Sequence, residues 1–136
     1  MISILLVEDH AAFASVLVRL LHKTGDLEVT EVARTAEIAL QKLPGQEFNL
    51  ALVDVFLPQM SGISLVALIH DRYPDLPCMM LSGHMLDHYV RQALKAGARG
   101  YVLKDHSDEI VEGIQHILKG ETYLSKELRH AQAWNP

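Results

Sequence analysis

Short runs of apolar residues along this chain end abruptly at acidic residues. Residues 4–7 read Ile-Leu-Leu-Val and are followed by Glu8 and Asp9. Residues 50–53 read Leu-Ala-Leu-Val and are followed by Asp54. Runs that are apolar throughout, rather than alternating with polar residues, are typical of parallel strands covered by helices on both faces. We therefore predict buried strands whose carboxyl ends carry these acids.

Amphipathic helix patterns separate the predicted strands. The first helix carries an apolar stripe made of Phe13, Val16, Leu17, Leu20 and Leu21. Strand and helix signals alternate five times, with strands predicted at residues 4–7, 27–32, 50–53, 78–81 and 100–103. Because crossovers between parallel strands are right-handed, this alternation predicts an α/β fold with a five-stranded parallel sheet, doubly wound in (βα)5 order.

Local signals indicate where several of the helices begin. Thr35 is predicted to cap the second helix, and Ser61 or Gly62 to open the third. Residues 86–96 are predicted to form the fourth helix, and Ser107 to cap the fifth. With these helices in place, both faces of the predicted sheet are covered.

Length and composition are those of one soluble globular domain. The chain has 136 residues, of which 49% are apolar and 21% are charged. No apolar stretch approaches the ~20 residues that span a bilayer and no cleavable signal precedes the first strand, so we expect a cytoplasmic protein without membrane contact. The formal charge of −5, with scattered lysine and arginine, argues against nucleic-acid binding by this chain alone. The single cysteine, Cys78, lies in an apolar run and is predicted to be buried.

The residues that follow four of the predicted strands are chemically complementary. They are Glu8 with Asp9, Asp54, Ser82 and Lys104. The carboxyl ends of parallel strands meet at one edge of the sheet, where ligands bind in open α/β folds. Carboxylates suit Mg²⁺, which would neutralise phosphoryl oxygens and leave Asp54 ionised as a nucleophile. The Ser82 hydroxyl and the Lys104 ammonium would each hold a phosphoryl oxygen, so the set predicts a phosphate-acceptor site on Asp54.

Each of these residues, taken singly, also fits a structural role. Asp9 fits a cap of the first helix, Ser82 a cap of the fourth helix, and Lys104 an exposed loop charge. The functional interpretation depends on the whole set, because four separate strand ends carry complementary groups.

The motifs resemble those of the receiver domains of two-component response regulators. The resemblance covers about residues 1–125, and its motifs are LVEDH at 6–10, DVFLP at 54–58 with Gly62, LSG at 81–83, AGARGY at 96–101 and LK at 103–104. It implies the flavodoxin-like receiver fold, phosphorylation of Asp54 by a sensor histidine kinase, and a Mg²⁺ cofactor. It also implies a homodimer as one form of the protein.

The same resemblance assigns roles to residues of the predicted site. Asp54 matches the phosphorylated aspartate, and Lys104 matches the lysine of the family. Asp9 is expected to ligate Mg²⁺ directly and Glu8 to act through a bound water. Phe56 is expected to offer its backbone carbonyl to the metal, and Asp54 is itself a ligand.

Two further residues match the conformational switch of the family. Ser82 occupies the position of the switch hydroxyl, and Tyr101 that of an aromatic ring that moves as the site fills. Phosphorylation is expected to draw Ser82 inward and to let Tyr101 fill the vacated space. The loop and helix that follow Ser82 are then expected to repack as a two-state element.

Within that family the chain is most similar to the NarL/FixJ (LuxR-type) branch. The features are His10 after the acidic pair, Asp105 where many receivers have a proline after the lysine, and the ending GETYLS at 120–125. Members of this branch usually continue into a helix-turn-helix domain, and the remaining residues are too few to form one. We therefore assign residues 1–124 to the receiver domain and residues 125–136 to a tail or the start of a linker to an absent effector domain.

The sequence leaves open how such a domain produces its output. The main prediction is a phosphoacceptor, not an enzyme, whose Mg²⁺-dependent phosphorylation switches dimerisation or the output of a helix-turn-helix transcriptional regulator. Contact with DNA would then belong to the absent domain. The first alternative is a stand-alone receiver that acts through protein contacts. The second is a phosphohydrolase with an aspartyl nucleophile, whose usual second acid is missing because Val55 and Phe56 follow Asp54.

Overall fold

Strands and helices alternate throughout the residues that the computed structural model describes, which are 1–84 and 87–129. In chain order they are β1 (Ile2–Val7), α1 (Ala11–His22), β2 (Leu27–Ala33), α2 (Ala36–Lys42), β3 (Leu50–Asp54), α3 (Gly62–Arg72), β4 (Cys78–Ser82), α4 (Asp87–Ala96), β5 (Gly100–Leu103), α5 (Ser107–Leu118) and β6 (Tyr123–Leu124). A 3₁₀ turn over Lys126–Leu128 follows. The predicted start of the fourth helix at Leu86 lies outside the described residues. None of the helices in the described ranges has the length and apolar character needed to cross a membrane.

The strands form one parallel sheet in the order β2-β1-β3-β4-β5-β6. The predicted α/β fold with a doubly wound parallel sheet is confirmed, but the described residues form six strands where five were predicted. The missed strand, β6, pairs Tyr123 with Gly100 and Leu124 with Tyr101. A strand of two residues shows no periodicity, so only its pairing with β5 identifies it.

Side chains of the central strands are buried alternately on the two faces of the sheet. Leu5 and Val53 pack in a cluster with residues of α2, α3 and α4. Leu6 and Leu52 pack on the opposite face with residues of α1 and α5. This burial on both faces is the physical reason for the uninterrupted apolar runs. Cys78 is buried as predicted, and burial raises the pKa of its thiol to about 12, so it stays protonated.

The buried stripe of α1 is narrower than the predicted one. Ala14, Leu17 and Leu21 are buried, whereas Val16 is 58% exposed. Val16 follows Phe13 by three residues, and this helical spacing together with its apolar character placed it in the predicted set. The face of α1 that carries Val16 is therefore directed to solvent.

Helix starts agree with the sequence in two cases and differ in a third. Thr35 Oγ1 accepts a hydrogen bond from Ile38 N at 3.1 Å, and Ser61 caps α3 in the same way. Ser107 is the first residue of α5, and the cap position belongs to His106, whose side chain does not cap the helix. The prediction of Ser107 as the cap was wrong by one residue, because residue type alone does not reveal which of two adjacent polar residues has a non-helical backbone.

The residues after β6 pack against β5. Ser125 N donates to the Tyr101 carbonyl at 3.0 Å, and Ser125 Oγ accepts from Leu103 N at 3.0 Å. These two hydrogen bonds continue the contact with β5 beyond the end of β6, one through the backbone of Ser125 and one through its side chain. The division of the chain at residue 124 stays a prediction, and residues 130–136 of the predicted tail lie outside the described part.

His106 lies among carboxylates that join α5 to the segment after β6. Its Nδ1 is 2.9 Å from Glu109 Oε1, and its Nε2 is 3.0 Å from Glu127 Oε1. Burial by itself would lower the pKa of this ring. The carboxylates of Glu109, Glu127 and Asp105 outweigh that effect, so the pKa lies above its ordinary value. Burial would raise the pKa of Glu109, but the backbone N–H of Lys126 and the His106 ring outweigh burial and lower it.

Protonated His106 is expected to stabilise the fold in mildly acidic solution. Because folding raises its pKa, this contribution is complete below the unfolded-state pKa of 6.5 and is lost as the pH rises through the folded-state value. Glu109, with a lowered pKa, contributes throughout the range above 4.5 and does not interfere. The Tm difference between the wild type and His106→Gln should therefore be larger at about pH 5.5 than at about pH 8.5, measured by scanning calorimetry. A difference independent of pH contradicts this prediction.

Candidate functional site

The carboxyl ends of β1, β3, β4 and β5 meet at one edge of the sheet and surround a cleft. Asp54 is the last residue of β3, which lies between β1 and β4. It is only 2% exposed. The cleft has a volume of about 290 Å³ and is lined by His10, Phe13, Asp54, Phe56, Gly83, His84 and Lys104. The apolar strand thus delivers a buried carboxylate to the floor of a cleft.

Lys104 bridges two of the acids at this cleft. Its Nζ lies 3.0 Å from Asp54 Oδ2 and 2.7 Å from Glu8 Oε1. It also lies over the ring of Phe13, at 4.8 Å from the ring centroid. Burial by itself would lower the pKa of Lys104, but its carboxylate partners outweigh burial and the pKa lies above its ordinary value. The side chain is therefore an ammonium ion at neutral pH.

The Asp54 carboxylate accepts a hydrogen bond at each oxygen. Phe56 N donates to Oδ1 at 3.1 Å, and Lys104 Nζ donates to Oδ2 at 3.0 Å. Burial raises the pKa of Asp54 to about 6; the Lys104 hydrogen bond opposes this rise and the charge of Glu8 adds to it. At neutral pH the carboxylate form still prevails, so the group is available as a nucleophile.

The acids at this edge form a candidate metal site. Glu8, Asp9, His10 and Asp54 each offer one ligand atom, and these atoms lie within 4.8 Å of one another. Asp9 Oδ1 is buried and has no hydrogen-bond partner in the described part of the chain. A buried carboxylate oxygen without a partner is costly unless a cation joins it. The carboxylate donors fit a hard divalent cation such as Mg²⁺.

The turn after β3 depends on Gly62, which lies directly against the backbone of Asp54. Gly62 N donates to the Val55 carbonyl at 3.0 Å and closes the turn. A Cβ on Gly62 would lie 1.8 Å from the Asp54 carbonyl oxygen and 2.8 Å from its carbonyl carbon. No side chain fits at this position, and the close approach sets where α3 begins relative to the Asp54 carboxylate.

Ser82 and Tyr101 lie on β4 and β5 beside the cleft. The Ser82 hydroxyl accepts a hydrogen bond from His84 N at 3.0 Å and donates to the His84 carbonyl at 3.3 Å. Tyr101 is fully buried, and its hydroxyl has no hydrogen-bond partner among the described residues. Burial raises the pKa of Tyr101, and the nearby Ser82 hydroxyl opposes that rise. The Ser82 hydroxyl is itself bonded to the backbone of His84. In this structure the Ser82 hydroxyl thus stabilises the loop that follows β4.

Residues that the sequence analysis did not assign to the site also line the cleft, namely His10, Phe13 and His84. Phe13 was predicted as part of a core stripe, yet its ring supports Lys104. The ring of His84 meets the ring of Phe56 edge to face, with centroids 4.8 Å apart. The one usable signal was proximity in sequence, because His10 directly follows the acidic pair and Phe13 lies one helical turn further on.

A doubly wound parallel sheet with a buried aspartate, an acidic pair and a lysine at one edge is the architecture of a receiver domain. Residues 4–115 match the protein family described as response regulator receiver domain. The chain belongs to this family. The predicted membership is therefore confirmed.

Individual relatives specify the type of regulator. The chain is 32% identical over 129 residues to the transcriptional regulatory protein UhpA of Escherichia coli (strain K12), covering 94% of this chain and 64% of that protein. It is 33% identical over 125 residues to the DNA-binding transcriptional activator DevR/DosR of Mycobacterium tuberculosis (strain ATCC 25618 / H37Rv), covering 91% of this chain and 58% of that protein. The chain spans 55% to 64% of the length of such curated relatives.

A solved structure gives the same result. The crystal structure of a LuxR-family two-component response regulator from Aurantimonas sp. SI85-9A1 superposes with a TM-score of 0.92 at 26% identity, covering 96% of this chain and 94% of that one. The predicted NarL/FixJ (LuxR-type) branch is confirmed by this match together with the curated relatives.

Proposed function

We propose that Asp54 of this receiver domain reversibly accepts a phosphoryl group. In this proposal Mg²⁺ is held by Asp9, Asp54 and the backbone carbonyl of Phe56, with Glu8 acting through a bound water. The observation that carries the proposal is the contact of Lys104 Nζ with Asp54 Oδ2 at 3.0 Å, beside an acidic cluster. A buried carboxylate between an ammonium and a cation site is able to take on the charge of a phosphoryl group.

Phosphoryl transfer at this site requires positioning and charge neutralisation. An Asp54 oxygen forms the new O–P bond while the bond from phosphorus to the donor's leaving group breaks, and the leaving group departs with the electron pair. The Phe56 N–H on Oδ1 orients the carboxylate. The Lys104 ammonium neutralises negative charge on the Asp54 carboxylate before transfer and on the phosphoryl group after it. When bound, Mg²⁺ supplies further neutralisation of the phosphoryl oxygens.

The residues around Asp54 favour a lasting aspartyl phosphate over hydrolytic turnover. A phosphohydrolase with an aspartyl nucleophile places a second acid two residues later, and here that position is Phe56, which is 41% exposed at the cleft. Its ring has no proton to give to a leaving group. We therefore propose a phosphoacceptor with self-catalysed phosphorylation and dephosphorylation, not an enzyme that acts on other substrates.

Phosphorylation is proposed to act through Ser82 and Tyr101. Phosphorylation replaces the singly charged Asp54 carboxylate with an acyl phosphate that carries about −1.5 to −2 charges beside β4, if it resembles other phosphorylated side chains. The Ser82 hydroxyl then exchanges its His84 partners for a phosphoryl oxygen, and the loop that it holds is released. Tyr101, whose hydroxyl lacks a partner among the described residues, is free to bond that loop in a new position. Shifting such an equilibrium from 1:99 to 99:1 requires about 5.5 kcal/mol.

The output is proposed to be control of a DNA-binding regulator. UhpA and DevR/DosR, by their names transcriptional regulators, extend well beyond the matched region. We propose that residues 1–124 are the receiver and that residues 125–136 begin the connection to an effector domain. A sensor histidine kinase in the cytoplasm would phosphorylate the receiver, and a homodimer would be one signalling form.

Loss of the Asp9 carboxylate is expected to weaken Mg²⁺ binding about tenfold or more, because Asp9 Oδ1 is buried and has no hydrogen-bond partner in the described chain. Titration calorimetry of the wild type and Asp9→Asn measures this. The wild type should also gain the mass of one phosphoryl group from acetyl phosphate only when Mg²⁺ is present. Asp26→Asn, at an exposed acid before β2, is the matched control and should behave as wild type. Equal Mg²⁺ affinity in all three proteins contradicts the ligand assignment.

A further inference from the structure

His10 lies against the acidic pair without any structural task of its own that the described residues show. Its side chain is 72% exposed, and its Nδ1 is 3.4 Å from Glu8 Oε2 and 3.5 Å from Asp9 Oδ1. It occupies the N-cap position of α1 but makes no side-chain capping bond. Its backbone N–H instead donates to Glu8 Oε2 at 3.1 Å, which holds this turn closed. The imidazole is thus kept beside the carboxylates by the backbone.

The two distances from His10 Nδ1 to its carboxylate neighbours match the spacing of ligands around a small tetrahedral ion. Zinc–nitrogen and zinc–oxygen bonds of ~2.0–2.2 Å place neighbouring ligands of a tetrahedron about 3.3–3.6 Å apart. Octahedral Mg²⁺ at ~2.0–2.1 Å instead places adjacent ligands about 3.0 Å apart. The two distances from His10 Nδ1, 3.4 and 3.5 Å, fall in the first range. The four ligand atoms all lie within 4.8 Å of one another.

The chemical type of the ligands in the cluster also determines which metal ions it prefers. Magnesium takes oxygen ligands and retains several waters, so an imidazole adds little to its binding. Imidazole suits Zn²⁺, Ni²⁺ and Cu²⁺, and the affinity of a mixed nitrogen and oxygen site rises toward the end of the first transition row. Glu8, Asp9 and Asp54 supply the anionic charge that any divalent ion needs. His10 is the one group of the cluster that distinguishes the two classes of ion.

We propose that His10 is a nitrogen ligand of this site and makes it bind Zn²⁺ and similar late transition-metal ions more tightly than Mg²⁺. This inference rests on the proposed function, because it uses Asp9 and Asp54 as metal ligands. In this form Glu8 binds Zn²⁺ directly instead of through the water proposed for Mg²⁺, and an ion held by Glu8, Asp9, His10 and Asp54 has no open position for a phosphoryl oxygen. Zinc bound in this way therefore competes with Mg²⁺ and prevents phosphorylation of Asp54.

The test measures metal binding directly on protein without an affinity tag. Zn²⁺ and Mg²⁺ are titrated calorimetrically into the wild type, His10→Ala, Asp9→Asn and His88→Ala. His88 is an exposed histidine on α4 and serves as the matched control. His10→Ala should weaken Zn²⁺ binding about tenfold or more and change Mg²⁺ binding less than about twofold. Asp9→Asn should weaken the binding of both Zn²⁺ and Mg²⁺, and His88→Ala should change the binding of neither ion.

The outcomes separate this inference from the function on which it rests. Suppose that Mg²⁺ binds the wild type and supports phosphorylation, but His10→Ala changes the affinity for both ions equally or for neither. That result overturns the role of His10 and leaves the proposed function intact. Zn²⁺ binding that survives Asp9→Asn places the ion elsewhere and also overturns the role of His10. If the wild type neither binds Mg²⁺ nor takes up phosphate, the proposed function fails first. Circular dichroism of each variant confirms that the fold is retained before titration.

Discussion

Asp54→Asn is expected to abolish phosphate incorporation from acetyl phosphate. The amide still accepts the hydrogen bond from Phe56 N, so the geometry of the turn is kept, but it is not a competent nucleophile. Lys104 then has Glu8 as its remaining carboxylate partner at the cleft, at 2.7 Å. We expect incorporation to fall about a hundredfold or more, measured by intact-mass spectrometry with Mg²⁺ present.

A matched control removes a carboxylate that lies outside the cleft. Asp71→Asn changes an exposed residue of α3 and should incorporate phosphate at the wild-type rate. The product on the wild type should also be cleaved by hydroxylamine, as an acyl phosphate is. Incorporation into Asp54→Asn at the wild-type level, or a label that resists hydroxylamine, contradicts the assignment of Asp54. The Tm of Asp54→Asn should not fall, because the substitution removes a buried negative charge next to Glu8.

Gly62→Ala is expected to destabilise the fold by about 3 kcal/mol or more. Its Cβ would lie 1.8 Å from the Asp54 carbonyl oxygen, and 3.0 Å from Val53 Cγ1. The first of these atoms belongs to the backbone of a central strand and cannot turn aside as a side chain can. Either α3 moves away from the sheet or the end of β3 is displaced, and both changes expose core residues. We expect Tm to fall by about 10 °C.

Gly83, a glycine that lines the cleft, provides the control for this substitution. Gly83→Ala adds a Cβ that meets no atom of the described residues within 4 Å, so the free energy of unfolding should remain within about 0.5 kcal/mol of wild type. Urea denaturation of the wild type and the two variants measures both effects. A Gly62→Ala protein as stable as Gly83→Ala would show that the turn tolerates a shift that the structure does not predict.

Elements with long sequence patterns were predicted correctly, and the shortest element was missed. The runs before Glu8 and Asp54 identified β1 and β3 because strands buried on both faces have no polar positions to confuse the assignment. The two residues of β6 had no such pattern. Ser107 was placed one position away from its true role because capping depends on backbone dihedrals, which two neighbouring polar residues do not reveal.

The candidate site was predictable in its components and not in its contacts. Parallel strands end at a common edge, so Asp54 and Lys104 were expected to lie close together. The structure adds that Lys104 contacts Glu8 as well as Asp54, and that Ser82 bonds its own loop. Partners of this kind depend on side-chain rotamers and on which polar atom is left without water, and no residue spacing encodes them.

The amino-acid sequence by itself determined the order of strands and helices and the end of the sheet at which acids, hydroxyl and lysine collect. It did so because local hydrophobic periodicity and the polarity of strand ends are properties of neighbouring residues. Only the tertiary structure decided that Phe13 supports Lys104 and that Ser125, after β6, bonds to β5. These contacts join residues that are brought together by packing, and packing is a property of the whole chain.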